Sequence, residues 1–329
     1  MITGDFVERR RANDPLAALP LEIGTELSAS LRDAIDLDIP EIFVDTVTWA
    51  QTALAFREVP PWALRRALDS MQDHVAHHVP ATRVDAARAL LARARAELKA
   101  ERNADVPAID ESTFSGAIAG RYLRAVFDGD EDRATREALL AIAGGMKTLA
   151  VYEDVVTPVL HETGRLWQRN EIGIAQEHVV TGAVERLMAQ LMELDRSVQH
   201  RDLTVVATSL GDARHQVAAR MVADAFTLSG WQAGYLGAAV PVDDLLDYVD
   251  RVSVDVLAIS ATLARDVLPI RALIEQLDIR PLAPLVIVGG RAFSLHPSVW
   301  RRVGADGYAR SPLAAVALAD DLLCTCNRA

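Results

Sequence analysis

Trp167 is followed by nine residues and then by Glu177 and His178, in the run LWQRNEIGIAQEH. An indole offers a large apolar surface, and a carboxylate beside an imidazole can hydrogen-bond a sugar or a base. Further along, the runs SLGDARH, SATL and GG place Asp212 and His215, then Ser260, Thr262 and Leu263, then Gly289 and Gly290, after three separate apolar, β-branched segments. An imidazole can ligate a transition metal, hydroxyls can satisfy a buried polar tail, and glycines let backbone approach a ligand closely. Taken singly, each feature has an ordinary reading: a core tryptophan, a solvated helix face, loop glycines, an exposed histidine at a helix start. Convergence on one edge is what favours a ligand.

The elements that must position these residues fall into three segments. From about residue 26 to 101 the pattern is helical and punctuated by Pro40, Pro60, Pro61 and Pro80, with the last helix running to about Lys99. Leu64, Leu68, Met71 and Val75 recur at helical spacing and define one buried stripe. The polar run RNADVPAIDE reads as a linker, after which Ser112 or Thr113 can cap a helix, DGDED turns the chain, and a further helix runs to Gly144 and Gly145. Pro158 should kink the third helix of this block, which ends at Trp167, and NEIG leads into the fourth, which carries Glu177 and His178. From Asp202, LTVVATS, GYLGAA, VDVLAIS, PLVIV and ADGYA alternate with helical stretches. That alternation predicts a doubly wound parallel five-stranded sheet of flavodoxin-like order 2-1-3-4-5, with ligands at the carboxyl ends of the strands. The expected organisation is α plus α/β: a helical N-terminal domain over 1–105, a four-helix bundle over 112–196, and a Rossmann-type domain over 202–329.

Composition narrows the function classes. The chain has 329 residues and a net charge of -12, so its overall field repels phosphate backbones and direct nucleic-acid binding is disfavoured. No apolar run approaches membrane-spanning length, and MITGDFVERRR lacks a signal-peptide core, so a cytoplasmic protein is expected. The only cysteines, Cys324 and Cys326, are spaced too tightly for an easy disulfide.

Residues 202–329 resemble cobalamin-binding domains, whose signature is an acidic residue, any residue, His, two residues and Gly, followed by Ser-x-Leu and Gly-Gly. The resemblance implies His215 as lower axial cobalt ligand, Ser260, Thr262 and Leu263 along the pocket for the dimethylbenzimidazole tail, and Gly289 and Gly290 flanking it. Two positions depart from the signature: Asp212 stands three residues before His215 rather than two, and Ala218 replaces the glycine. Residues 112–329 together resemble the CarH-like cobalamin photoreceptors, in which a helical bundle covers the upper corrin face and the Trp, nine residues, Glu-His motif is fairly specific. The implied cofactor is adenosylcobalamin, with Trp167, Glu177 and His178 around its adenosyl group. Where those proteins carry a histidine directly after the tryptophan, this chain has Gln168, so His161 or His178 would have to serve in its place.

The first hundred residues lack the winged-helix domain of CarH, and the whole architecture is similar to the photocobilin subgroup, which pairs cobalamin with biliverdin. His74 and His78, one helical turn apart, could meet a bilin propionate or pyrrole, or could be a boundary pair. The resemblance implies a non-enzymatic light sensor, a homo-oligomer whose state depends on light. The alternatives are a corrinoid carrier for methyl transfer, as a methyltransferase component, and a cobalamin-binding interaction module without photochemistry.

Overall fold

The computed structural model describes residues 19–78, 80–98, 106–195, 199–210 and 215–326, and the side chains at 22, 76–78 and 326 lie outside the description. The N-terminal helices are α1 (Leu21–Leu37), α2 (Pro40–Ala55), α3 (Pro61–His78) and α4 (Ala81–Glu97). Proline sets their starts: Pro40 lies in the first turn of α2, where its missing N–H is not needed, and Asp38 ends α1 in the left-handed region at φ 53°. Leu64, Leu68, Met71 and Val75 are all buried, as their spacing requires.

The second block is a four-helix bundle of α5 (Phe114–Phe127), α6 (Glu131–Ala143), α7 (residues 148–168) and α8 (Ile174–Leu194). Thr113 is the N-cap of α5, accepting from Gly116 N at 3.0 Å, and Asp130 caps α6 through Arg133 N at 2.9 Å. Pro158 acts on α7 through its missing N–H: the helix widens to a π turn over Tyr152–Val156, closed by a bond from Thr157 N to Tyr152 O. The backbone irregularity thus falls just before Pro158, in the helix where the sequence suggests a kink.

The third block contains β1 (Thr204–Ser209), α9 (Val217–Leu228), β2 (Gln232–Ala238), α10 (Val242–Val252), β3 (Val256–Ser260), α11 (Val267–Leu277), β4 (Leu285–Gly289), the short α12 (Arg291–Ser294) and α13 (Val299–Arg302), β5 (Gly307–Ala309) and α14 (Pro312–Cys326). All strands are parallel in the order β2-β1-β3-β4-β5, which is the predicted order.

Contacts divide the chain into two units. The first joins the N-terminal helices to 261–275 and 291–304, the loops and helical pieces that follow β3 and β4; the second holds the bundle together with the sheet. Inside the second unit, α9 belongs to two cores. Val217 and Met221 complete the apolar interior of the bundle, while Ala223, Ala225 and Phe226 pack under the sheet. Burying both faces of one helix fixes the bundle against the sheet. The Tyr152 hydroxyl reinforces that junction, 2.8 Å from Asp224 Oδ2 of α9 and 3.2 Å from Met188 O of α8. Burial pushes the Asp224 carboxyl up, opposed by the Tyr152 bond and by Arg220. Among the described residues, no helix is long and apolar enough to cross a membrane.

Candidate functional site

The last residues of the strands form one in-register row across the carboxyl edge of the sheet: Ala238, Ser209, Ser260, Gly289 and Ala309. Every side chain in it is small. A parallel sheet exposes this edge where the chain leaves for its crossover helices, so small residues here keep it open to a ligand. Ser209 and Ser260 are buried and bring hydroxyls into the row. Gly289 also has a reason internal to the sheet, because a Cβ there would lie 2.8 Å from Ala309 O, and Gly290 sits at φ +88°, where side chains are strained.

His215 stands beside this row. Ser209 Oγ donates to His215 O at 3.0 Å, tying the histidine backbone to the end of β1. The residue is half-buried, and its Nδ1 is shut off from solvent. Asp212 lies outside the described residues. Thr262 and Leu263, both half-buried, follow Ser260 by two and three residues and belong to the first unit.

The bundle reaches the same loop through one helix face. Gln216, directly after His215, donates from Nε2 to Glu185 Oε1 of α8 at 2.9 Å. Glu185, Thr181 and Glu177 are spaced four residues apart and therefore share that face. Thr181 Oγ1 donates to Glu177 Oε1 at 3.0 Å, and Glu177 Oε2 lies 3.1 Å from His178 Nδ1. At 1.5 Å per residue, Glu177 stands about 12 Å along α8 from the point where Glu185 meets the His215 loop. Trp167 is half-buried at the end of α7, in the turn whose Asn170 N bonds Trp167 O at 3.0 Å and whose Glu171 N bonds Leu166 O at 2.9 Å. His178 is exposed, as is His161 on α7.

Ser209, Gln216 and Glu185 are the residues that sequence reasoning missed. Ser209 was detectable as the last residue of a strand and Gln216 as the neighbour of His215, whereas nothing local marks Glu185. His74 is half-buried on α3 in the first unit, and the arrangement above is built without it; the His78 side chain lies outside the described residues. Among the described residues, no group of three or more His, Cys, Asp or Glu is placed to hold a metal ion.

Comparison with known proteins identifies the domains that carry these residues. Residues 118–192 match a family described as B12 binding domain, and residues 203–317 match a second family of the same description. A corrinoid protein of Desulfitobacterium hafniense is 24% identical over 211 residues, covering 61% of this chain and 94% of that protein. The HTH-type transcriptional repressor CarH of Myxococcus xanthus is 24% identical over 175 residues, covering 53% of this chain and 58% of the repressor, so the match spans little more than half of the repressor's length. The fold is similar to that of the monomethylamine corrinoid protein of Methanosarcina barkeri, with a TM-score of 0.52 and 18% identity over 61% of this chain and 97% of that one. The bundle and the sheet thus carry a pair of B12 binding domains, and the chain is a cobalamin-binding protein.

Proposed function

We propose that this chain is a cobalamin-dependent light sensor whose helical bundle holds the upper side of an adenosylcobalamin. The bond between Gln216 and Glu185 carries the reading. It ties the loop of the candidate cobalt ligand to the helix face that bears Glu177 and His178, which gives a lower and an upper set of groups on one continuous frame. The residue types present fit a corrinoid: a half-buried imidazole beside an edge of small side chains with two buried hydroxyls in the sheet domain, and an indole with a carboxylate–imidazole pair in the bundle.

His215 would hold cobalt from below, and Ser260, with Thr262 and Leu263 after it, would line the path of the nucleotide tail. Trp167 would cover the adenosyl group and exclude water, while Glu177 and His178 would bond its sugar and base. When bound, adenosylcobalamin supplies a cobalt–carbon bond that light breaks. Trp167, Glu177 and His178 would hold the bundle against the adenosyl group, and because a ligand biases two states only by its differential contacts, loss of that group would release the bundle toward another arrangement. The output is a changed domain or subunit arrangement of a homo-oligomer. Biliverdin as second chromophore belongs to the same proposal, held by the N-terminal helices with His74 and His78 among its contacts.

The Trp167, Glu177, His178 spacing supports a sensor rather than a methyl carrier, which needs neither the indole nor the carboxylate–imidazole pair. The test is the absorption spectrum and elution volume of the adenosylcobalamin-loaded protein before and after green light, with biliverdin and red light as a second arm. A light-dependent spectrum and elution volume are expected. A spectrum and assembly state indifferent to light would overturn the sensor and leave the carrier.

A further inference from the structure

Three arginines in the segments that follow β3 and β4 share one destination. Arg265, two residues after Leu263, donates from Nη1 to Glu26 Oε2 of α1 at 2.7 Å. Arg291, directly after Gly290, donates from Nη2 to both carboxylate oxygens of Asp45 on α2, at 2.9 and 2.7 Å. Arg302 on α13 reaches Asp38 at the end of α1, at 3.1 Å. The two loops are also joined to each other, by Ala292 N to Ala261 O at 3.1 Å. All of these groups belong to the first unit.

The three pairs differ in weight. Asp38 is 80% exposed, and a pair so open to water contributes little. Glu26 is only 9% exposed, so its charge depends on Arg265, and burial pushes its carboxyl up against that arginine. The Arg291–Asp45 pair is intermediate, with the arginine half exposed and Asp45 less so.

We infer that α1 and α2 act as a clasp on the loops after β3 and β4, with Glu26 and Asp45 as positioning residues that hold those loops in the form that accepts the nucleotide tail of the corrinoid. This rests on the proposed course of the tail along Ser260, Thr262 and Leu263. Arg265 follows Leu263 by two residues and Arg291 follows Gly290 directly, so whatever fixes the arginines restrains the backbone of those residues. The clasp gives the N-terminal helices a means of sensing whether the tail is in place. By linkage, tail binding must tighten the clasp as much as the clasp favours the tail.

The test uses the full chain and two corrinoids, hydroxocobalamin and cobinamide, which lacks the nucleotide tail. Equilibrium titrations are compared for the natural protein, Arg265→Gln, Arg291→Gln, and the charge exchange Asp45→Arg with Arg291→Asp. Arg291→Gln removes a half-exposed side chain, so it provides a folded variant even where Arg265→Gln, which strands Glu26, does not. Both single changes should weaken hydroxocobalamin at least about fivefold, the lower end of site-to-site coupling, and leave cobinamide within about twofold. The exchange should recover hydroxocobalamin affinity. Hydroxocobalamin should slow amide exchange in residues 21–55, and cobinamide should not. Equal losses for both corrinoids, or no loss for either, would overturn the clasp while leaving the tail site intact. A natural protein that binds the two corrinoids equally would remove the tail site itself, and the clasp with it.

Discussion

Asp33 sits on α1 about two turns from Glu26, and its side chain has no exposed surface. Arg32 holds Oδ1, at 2.9 Å from Nε and 2.8 Å from Nη2, while Oδ2 is buried with no hydrogen-bond partner among the described residues. Burial, with the neighbouring charges of Glu26 and Asp266 adding to it and Arg32 opposing it, pushes the carboxyl from 3.8 to about 6. The folded protein therefore binds this proton more tightly than the unfolded chain. The stability it contributes is complete below about pH 4, declines as the pH rises, and is lost above about pH 6. At about 1.36 kcal/mol per pH unit, the interval from 3.8 to about 6 amounts to about 3 kcal/mol. Asp33→Asn removes this dependence. The amide keeps an acceptor for Arg32 but buries an N–H pair without an acceptor, at a cost of about 1–3 kcal/mol that does not vary with pH. In urea denaturation followed by circular dichroism, the variant should be less stable than the natural protein at pH 4 and equal or more stable at pH 8. The difference between the two proteins should swing by about 3 kcal/mol across that range. Stability curves that run parallel from pH 4 to 8 would refute the reasoning, because a constant offset leaves no role for the Asp33 proton.

His215→Ala should remove the imidazole-ligated spectrum of bound cobalamin or weaken binding at least about tenfold, equivalent to about 1.4 kcal/mol; an unchanged spectrum in the dark would end the assignment. Trp167→Ala should weaken adenosylcobalamin more than hydroxocobalamin, and equal losses would mean that the indole only supports the bundle. Tyr152→Phe should cost about 1 kcal/mol in urea denaturation, because it removes the hydroxyl that donates to the half-buried Asp224 carboxylate at the junction of bundle and sheet and leaves that group, among the described residues, only Arg220, at 4.0 Å; an unchanged midpoint would show that this hydroxyl adds nothing to the apolar junction of Val217 and Met221. Bound biliverdin should be stripped completely by acid denaturation and gel filtration, since the only cysteines, Cys324 and Cys326, lie at the far end of the sequence from the N-terminal helices; pigment that stays with the chain would require a covalent bond.

The sequence was most legible where one local pattern decides the outcome. The alternation of β-branched runs with helical stretches predicted five parallel strands and their order, because a right-handed crossover leaves few ways to lay them out. Thr113 and Pro158 were readable for the same reason, since a cap and a missing N–H act within one turn. The frame around His215 was less legible. Its nearest supports are a strand-end hydroxyl, which sequence can suggest, and Glu185, which lies 31 residues from Gln216 and looks like any other acid on a helix.

The clasp shows where a readable signal stops short. In α1, Ile23, Leu27, Ser30, Leu31, Ala34 and Leu37 form the buried face, and Glu26 and Asp33 fall on that same face, seven residues apart. An acid on a buried stripe is a local conflict visible in sequence alone, because a desolvated carboxylate must either find a cation or keep its proton. The two acids resolve it differently: Glu26 takes Arg265, and Asp33 takes only Arg32 and is pushed toward the protonated form. The sequence could have flagged both positions as needing partners. It could not have located Arg265, which is 239 residues away, because that pairing depends on packing that brings the loop after β3 onto α1. A polar residue out of place on an apolar face is thus readable as a question about long-range structure, and here its answer connects the N-terminal helices to the loops where the corrinoid tail is proposed to lie.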